Sequence, residues 1–165
     1  MLNRSQEDSY NTGEVMIAVV QRVSSASVKV DGIITGSCNG GLMILLGVEE
    51  NDNEKHAEVL AVKLSKLRIF NDQNDKMNLS VLDVGGSALV VSNFTLNADY
   101  KKGNRPNYLK GAAPEMADRL YEYFSECLRH CGLHVENGVF GAHMECNIVN
   151  DGPVTLIIDS KELVK

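Results

Sequence analysis

Two short segments of the chain combine residue types that could act on a substrate. The first follows the apolar run ALVV and carries two hydroxyls, an amide and an aromatic ring, on Ser92, Asn93, Phe94 and Thr95. A hydroxyl becomes a nucleophile only when a neighbouring base takes its proton. The sequence places no such base beside Thr95, and the four histidines are scattered, so nothing indicates that Thr95 attacks a substrate.

The second segment, NDGPVT, covers residues 150–155 and lies between two stretches of strand-forming sequence, MECNIV and VTLIID. Asn-Asp-Gly is typical of a tight turn, and Pro153 has no amide hydrogen to give to a sheet. The segment is therefore either a hairpin turn or a place where the backbone is directed at a ligand. Composition alone favours the hairpin turn.

Familiar hydrolase and metal motifs do not explain the chain. G-x-S-x-G, HExxH and the phosphate-binding P-loop are all absent. Four residues of metal-ligating type lie near residue 130, namely Cys127, His130, Cys131 and His134. Cys127 and Cys131 fall on the helical face that also carries Phe124, and buried thiols on an apolar stripe explain them better than a zinc site. We predict no metal and no cofactor.

The charge is unevenly distributed. A net charge of −6 argues against binding nucleic acid over a wide face, because phosphate binding needs many Lys and Arg. Residues 100–110, YKKGNRPNYLK, carry two tyrosines and no acid. The bases of this segment are Lys101, Lys102, Arg105 and Lys110. It is either a solvated basic loop or a local docking site for one end of an RNA.

Turn signals predict the strands that would position these segments. Asp31-Gly32 lies between SVKV and IITG and predicts a type I′ hairpin. Gly85-Gly86 and Asn137-Gly138 predict two more hairpins, and a strand is expected on each side of NDGPVT. The glycine-bounded apolar run GGLMILLGV predicts a strand buried on both faces.

Two helices complete the predicted elements. Residues 51–53 can cap a helix whose apolar side chains recur at helical spacing, and a second helix is expected from Pro114 to Gly132. About eight strands, mostly joined by hairpins, and two main helices predict a single α+β domain with a mostly antiparallel or barrel-like sheet.

Length and composition set the outer limits. The 165 residues fit one domain, which we expect to span residues 16–165. Residues 1–15 are polar and lack the apolar core of a signal peptide, so we expect a disordered extension or an upstream start before Met16. No run of 18 apolar residues predicts a membrane span. Four cysteines without a disulfide-like framework favour a reducing, cytoplasmic setting.

The order of several segments resembles the D-aminoacyl-tRNA deacylases. MIAVVQRVSSASVKVDG, GLMILLGVE, KLRIFNDQNDKMNLSV, GGSALVVSNFTL, GNRPNYLKGAAP, FGAHM and NDGPVT follow one another as in that family, from Met16 to Asp159. The resemblance implies the fold of those deacylases and a homodimer with active sites at the subunit interface. It also implies a substrate, D-amino acids esterified to the 3′ end of tRNA.

The resemblance also implies roles for individual residues. Residues 92–95 would position the ester through amides and hydroxyls, without a catalytic side chain. Gly152 and Pro153, joined by a cis bond, would enter the partner's active site and hold the α-ammonium group so that an L side chain is excluded. Glycine would escape this exclusion, which implies action on Gly-tRNA(Ala). Further residues implied at the site are Asn150 and Thr155 as braces, Arg22 as an orienter of the turn, and Met144 and Phe140 beside the terminal adenosine or in the core.

One position departs from the family pattern. Asn93 stands where the family usually has Gln, so its amide reaches one methylene less far. The change would be nearly silent if the segment works through backbone amides, and would alter rate or specificity if the side chain holds the substrate. Two other functions stay open: a non-catalytic nucleic-acid-binding or dimerisation module on the same fold, and an esterase for small activated esters.

Overall fold

The sheet is built around one long strand, β1 (Ile17–Val30), in a computed structural model that describes residues 15–164. The first half of β1 pairs antiparallel with β3 (Gly41–Gly47), and its second half pairs antiparallel with β2 (Ile33–Cys38). Along its other edge β1 pairs over nearly its whole length with β8 (Glu145–Asp159). The antiparallel pair of β1 and β8 is therefore the longest pairing in the sheet.

Two parallel pairings extend the sheet. β6 (Ser87–Ser92) pairs with β3, and β7 (His134–Asn137) pairs with β6, which gives the order β2-β1-β3-β6-β7. The two ends of this order meet, because a Cβ placed on Gly36 of β2 would come within 2.4 Å of the main-chain oxygen of Asn137. The sheet is thus nearly closed and barrel-like, as predicted. A separate pair is formed by β4 (Phe70–Asn71) and β5 (Met77–Leu79).

Two helices, α1 (Glu54–Lys66) and α2 (Pro114–His130), pack side by side against the sheet. The side chain of Asn53 caps α1 by accepting from the amide of Lys55, as the sequence predicted. Residues 65 positions apart face each other, Glu54 with Arg119 and Glu58 with Tyr123, so the helices run in the same direction. Both therefore begin at the same end of the sheet.

The apolar residues divide into two buried clusters. The larger lies between the sheet and the helices and includes Leu60, Leu64, Leu120 and Phe124, all fully buried. The smaller fills the curl of the sheet around Met43 and Leu89. β3 contributes to both clusters, which confirms that its apolar run is buried on both faces.

The predicted hairpins have mixed outcomes. The Asp31-Gly32 turn is confirmed, with φ of 50° and 79° at its two residues. The hairpins at Gly85-Gly86 and Asn137-Gly138 are wrong: β6 and β7 pair parallel, and the chain before Gly86 makes tight turns instead of a strand. The hairpin at NDGPVT is also wrong, because residues 145–159 form one strand. Local turn signals were right about bends but not about which strands pair.

The first described residues, Val15 and Met16, are held against the rest of the chain. Met16 is fully buried in the larger core, and the amide of Val15 donates to the carboxylate of Glu49 at 3.3 Å. The prediction of a disordered extension or upstream start falls on residues 1–14, which lie outside the described residues. Within residues 15–164, no helix is both long and apolar enough to cross a membrane.

Candidate active site

A cavity of about 740 Å³ opens where β3 and β6 end and α2 begins. The residues predicted to act on the substrate line it together: Ser92, Asn93, Phe94 and Thr95 from the end of β6, with Phe140 and Met144 from the loop before β8. Tyr108, Gly111, Pro114 and Ala117 complete the opposite wall. The structure therefore brings these segments into one site, while their individual roles remain predictions.

Asn93 turns its side chain back onto its own backbone. Its amide oxygen accepts hydrogen bonds from the backbone N–H of Thr95, 3.2 Å away, and from the hydroxyl of Thr95. The side chain thereby caps a short 3-10 helix, Phe94–Asn97. The backbone N–H of Asn93 donates to the main-chain oxygen of Leu46 at 2.8 Å. Because the Thr95 proton goes to a neutral amide, no base among the described residues prepares that hydroxyl for attack.

The basic segment forms a loop over one side of the cavity. Asp99 and Asn107 exchange backbone hydrogen bonds of 2.8 and 2.9 Å, and Lys110 accepts from the amide of Glu50 at 3.1 Å. The four predicted RNA-binding bases, Lys101, Lys102, Arg105 and Lys110, are all exposed. Tyr108 of this loop meets Phe94 edge to face with 5.0 Å between ring centroids. Sequence reasoning did not assign Tyr108, although its place among the basic residues was a signal.

NDGPVT forms a wide bulge in β8. Asn150 pairs with Val23 and Thr155 pairs with Gln21, so residues 151–154 lie opposite Arg22 alone. The Asn150 side chain closes this bulge, donating to the Thr155 hydroxyl at 2.9 Å and accepting from the amide of Val154 at 3.0 Å. The bond between Gly152 and Pro153 is cis, as the resemblance implied. Residues 151–153 of the bulge are exposed, whereas Val154 packs against the larger core.

A buried arginine holds the bulge in place. Arg22 is only 8% exposed, and its Nε donates to the main-chain oxygen of Asp151 at 3.0 Å. Its Nη1 donates to the oxygen of Ile69 at 2.8 Å and to the side-chain oxygen of Asn71 at 3.2 Å. The guanidinium thus ties the bulge to the strand β4, as expected of a group with five donors.

The bulge and the cavity are separate within one chain. None of residues 150–155 lines the cavity. Ser92 lies in register with Leu46, and Leu46 with Ala18, whereas the bulge is opposite Arg22, four residues further along β1. At about 3.3 Å per residue, Ser92 is about 13 Å from the bulge along the strand. The cavity wall nearest to the bulge is formed by Ile148 of β8, two residues before Asn150.

A buried carboxylate below the basic loop was missed by the sequence analysis. The Oδ2 atom of Asp52 accepts from the amide of Glu49 at 2.8 Å, whereas Oδ1 is buried without a hydrogen-bond partner. Burial, with the nearby carboxylates of Glu49 and Asp159, raises the pKa of Asp52 to about 6. Asp52 therefore stabilises the turn at residues 49–52. Within this turn, the backbone N–H of Glu50 donates to the main-chain oxygen of Lys110 in the basic loop. An acid beside a helix cap gave no sequence signal that it would be buried.

The cysteine and histidine group near residue 130 does not assemble as a metal site. Among residues 15–164, no cluster of three or more His, Cys, Asp or Glu could hold a metal ion. Burial is the main factor that raises the pKa of Cys127, so its thiol stays protonated at neutral pH. Cys127 is half-buried in α2, and Cys131 is half-buried directly after its last residue, His130.

Comparisons with known proteins agree on one family. A family model described as D-Tyr-tRNA(Tyr) deacylase matches residues 19–159. The chain belongs to this family. A D-aminoacyl-tRNA deacylase of Bacillus pumilus is 56% identical over 147 residues, which cover 89% of this chain and 100% of the relative. One of Fervidobacterium nodosum is 54% identical over 148 residues, or 90% of this chain and 99% of the relative.

Solved structures confirm the fold of the family. A chain titled c-Myc DNA Unwinding Element Binding Protein has a TM-score of 0.80 and 39% identity, covering 86% of this chain and 97% of its own. A probable eukaryotic D-amino acid tRNA deacylase has a TM-score of 0.76 over 88% of this chain and 99% of its own; at 15% identity it supports the fold alone. As a member of the deacylase family, the chain is a hydrolase of the aminoacyl-tRNA ester bond, as predicted.

Proposed function

We propose that the enzyme removes D-amino acids from the 3′ end of tRNA, and also glycine from Gly-tRNA(Ala), while sparing L-aminoacyl esters. The observation that carries this proposal is the exposed bulge at Gly152 and Pro153, which is hydrogen-bonded to Arg22 and does not line the cavity formed by residues 92–95 of its own chain. A backbone feature that is held by a buried arginine, and that does not line the cavity formed by residues 92–95 of its own chain, suits insertion into that cavity of a second copy.

The partner would be a second copy of this chain, in a homodimer with each active site at the interface. Among residues 15–164, β8 pairs with β1 alone, which leaves its other edge without a partner strand in this part of the chain. The side chains of Val149 and Ile157 on β8 are 54% and 74% exposed. Apolar side chains on a free-edged strand favour association. Phe94, 63% exposed at the mouth of the cavity, offers a surface that the partner's bulge could cover.

Chiral selection would come from the main chain. Carbonyl oxygens of the bulge would accept hydrogen bonds from the substrate's α-ammonium group and so fix its orientation. With that group fixed, an L side chain would point into backbone and a D side chain away from it. Glycine has no side chain to exclude, which is why its ester would be accepted.

The chemistry would depend on positioning instead of a reactive side chain. An aminoacyl ester is already activated, so a water molecule held near its carbonyl can attack when the developing oxyanion is stabilised. The Phe94 amide begins the 3-10 helix, where an N–H has no partner within the helix, and it could donate to that oxyanion. The terminal 2′-hydroxyl of the tRNA would help to position the water. The four bases of the loop would hold the phosphates of the 3′ end, and Phe140 and Met144 its adenosine.

A binding module is the second candidate, favoured by one observation. The structural relative that is 39% identical carries a title describing DNA binding. On that account the basic loop would bind nucleic acid without turnover.

Ester hydrolysis separates the two candidates. D-Tyr-tRNA, L-Tyr-tRNA and Gly-tRNA(Ala) are incubated with the protein, and the remaining ester is measured over time. We expect rapid loss of the D and glycyl esters with the L ester spared. No turnover of any of the three would favour the binding module. Since the substrates belong to translation, we place the enzyme in the cytoplasm.

A further inference from the structure

Helix α1 separates its charges between two flanks. Its acids face α2, where Glu54 pairs with Arg119 and Glu58 accepts from the hydroxyl of Tyr123 at 2.7 Å. Its lysines at positions 55, 63 and 66 are separated by eight and three residues, which places them on one other flank. This segregation leaves a basic surface on a chain whose net charge is −6.

That flank borders an open cavity of about 650 Å³, distinct from the candidate active site. Lys55, Lys63, Lys66 and Arg68 surround it, and we call these four residues the α1 basic flank. Its floor is apolar and includes Val62, which is 43% exposed. Glu58 is the acid among its lining residues, and Glu58 already accepts from Tyr123.

The lysines of the flank are available to an external ligand. Within residues 15–164, no ion pair joins Lys55, Lys63 or Lys66 to a carboxylate. Arg68 is held by Asn78, with Nε donating to its main-chain oxygen at 2.7 Å, so its guanidinium is fixed in place. Four cations beside an apolar floor suit a polyanion that also presents apolar surface.

The flank leads away from the active-site end of the molecule. α1 and α2 begin at the same end, and the first turns of α2, at Pro114 and Ala117, line the active-site cavity. From Lys55 at the start of α1 to Lys66 at its end is 11 residues, or about 17 Å. A ligand that enters the cavity by one end could therefore continue along the flank.

We propose that the α1 basic flank binds the sugar-phosphate backbone of the paired stem that adjoins the 3′ end of the tRNA. This inference rests on the proposed function, because the tRNA substrate supplies the polyanion and its 3′ end fixes the direction. Proteins recognise RNA duplexes mainly through shape, phosphates and 2′-hydroxyls, and lysines serve as point charges for phosphates. The apolar floor gives the ribose faces a surface to pack against.

The test compares two substrates that share the same ester. One is D-Tyr-tRNA, and the other is the D-Tyr ester of a trinucleotide with the same 3′ sequence, which lacks the stem. Lys63→Glu and Lys66→Glu should each raise KM for the tRNA about 3- to 10-fold with kcat retained, and leave KM for the trinucleotide ester unchanged. The salt dependence of tRNA binding should weaken by about 0.7–0.9 in log–log slope per lost phosphate contact.

Two controls isolate the flank. Lys29→Glu makes the same change in net charge at a different place, on β1. Its neighbour Val28 belongs to the smaller cluster, whereas α1 packs on the larger one, so both KM values should stay unchanged. Lys63→Gln and Lys66→Gln remove the positive charge without adding a negative one near the end of α1, and should show smaller effects in the same direction.

A KM for D-Tyr-tRNA that stays within about twofold of wild type in both glutamate variants would overturn the inference. So would an equal rise of KM on both substrates, since that would indicate damage to the active site. If the wild-type protein cleaves neither ester, the proposed function fails independently, and binding of uncharged tRNA by the same variants still decides the inference.

Discussion

The Nε of Arg22 donates to the main-chain oxygen of Asp151, 3.0 Å away, across 129 residues of sequence. This contact links the buried side chain of Arg22, on β1, to the bulge in β8. A hydrogen bond from a charged group contributes about 1.5–3 kcal/mol, equivalent to about 10- to 100-fold in rate when it holds a substrate-binding group.

Arg22→Met should lower kcat/KM for D-Tyr-tRNA about 10- to 100-fold and reduce the preference for the D over the L ester. The reason is that the bulge loses its link to β4 while three acceptors remain without a donor. Steady-state rates on both esters measure the effect. Arg119→Lys, on the exposed ion pair with Glu54, should change neither rate. Retention of full D/L discrimination by Arg22→Met would contradict the positioning role.

Gly152→Ala should abolish most activity, because the position admits no side chain. Its φ is +141°, and an added Cβ would lie 2.7 Å from the amide nitrogen of Val154 and 2.8 Å from a methyl carbon of that residue. Ester hydrolysis and thermal unfolding are measured together. Gly40→Ala is the matched control, since no atom lies within 4 Å of its added Cβ. Near-wild-type kcat/KM in Gly152→Ala would show that the bulge does not have to keep this shape.

Thr95→Val should retain activity within about tenfold of wild type, because the Thr95 hydroxyl donates to Asn93 and has no base beside it. Single-turnover rates on D-Tyr-tRNA measure this. Complete loss of turnover in a folded variant would instead identify Thr95 as a nucleophile.

Asn93→Ala should lower stability by about 0.5–2 kcal/mol, because it removes the cap of the 3-10 helix that carries Phe94 and Thr95. Asn93→Asp still offers an acceptor and should restore most of that loss in thermal unfolding. Equal destabilisation by both substitutions would show that the cap contributes little.

Asp52 should make the protein more stable as the pH falls from about 6 to about 4. Its pKa is about 6 in the folded protein against 3.8 for the free side chain, so the native state binds the proton more tightly within this window. The full difference corresponds to about 2–3 kcal/mol. His56, with Nδ1 3.4 Å from Oδ1, and the carboxylates of Glu49 and Asp159 are the other titratable groups around it.

Urea unfolding of wild type and Asp52→Asn across pH 4–7 tests this dependence. The stability difference between the two proteins should change through the window, with wild type losing stability relative to the variant as the pH rises. Asp83→Asn should show the opposite pH dependence, with wild type gaining stability relative to the variant as the pH rises. The reason is that hydrogen bonds from Ser80 lower the pKa of Asp83. Parallel curves for wild type and Asp52→Asn would refute the role of Asp52.

Local sequence patterns predicted the elements better than their partners. The cap at Asn53, the turn at Asp31-Gly32 and the long helix from Pro114 depend on contacts within a few residues. The parallel pairing of β3 with β6 depends on residues more than 40 positions apart, and Gly85-Gly86 looks the same in a hairpin and in a tight connection. The continuous strand through Pro153 was missed because a bulge, unlike a hairpin, needs a partner strand to define it.

The residues of the candidate site were predictable only in part. Residues 92–95, Phe140 and Met144 were expected at one site from the resemblance, and the structure brings them to one cavity. The burial of Asp52 and the contact of Tyr108 with Phe94 both depend on segments that are distant in sequence: Asp159 lies near Asp52, and Tyr108 belongs to the basic loop whereas Phe94 follows β6. Long-range contacts of this kind leave no periodic pattern in the chain.

The bulge also determines where the length of β8 can change without disturbing its pairing with β1. Because β1 pairs with β8 on both sides of residues 151–154, each half of the strand is anchored by its own ladder. One residue inserted within the bulge would leave the inward and outward faces of both halves unchanged. The same insertion at residues 146–149 would reverse every side chain between it and the nearer end of the ladder. Insertions and deletions within the bulge should therefore leave the barrel folded, but they would change the segment that we propose binds the α-ammonium group, so activity and fold should respond differently to them.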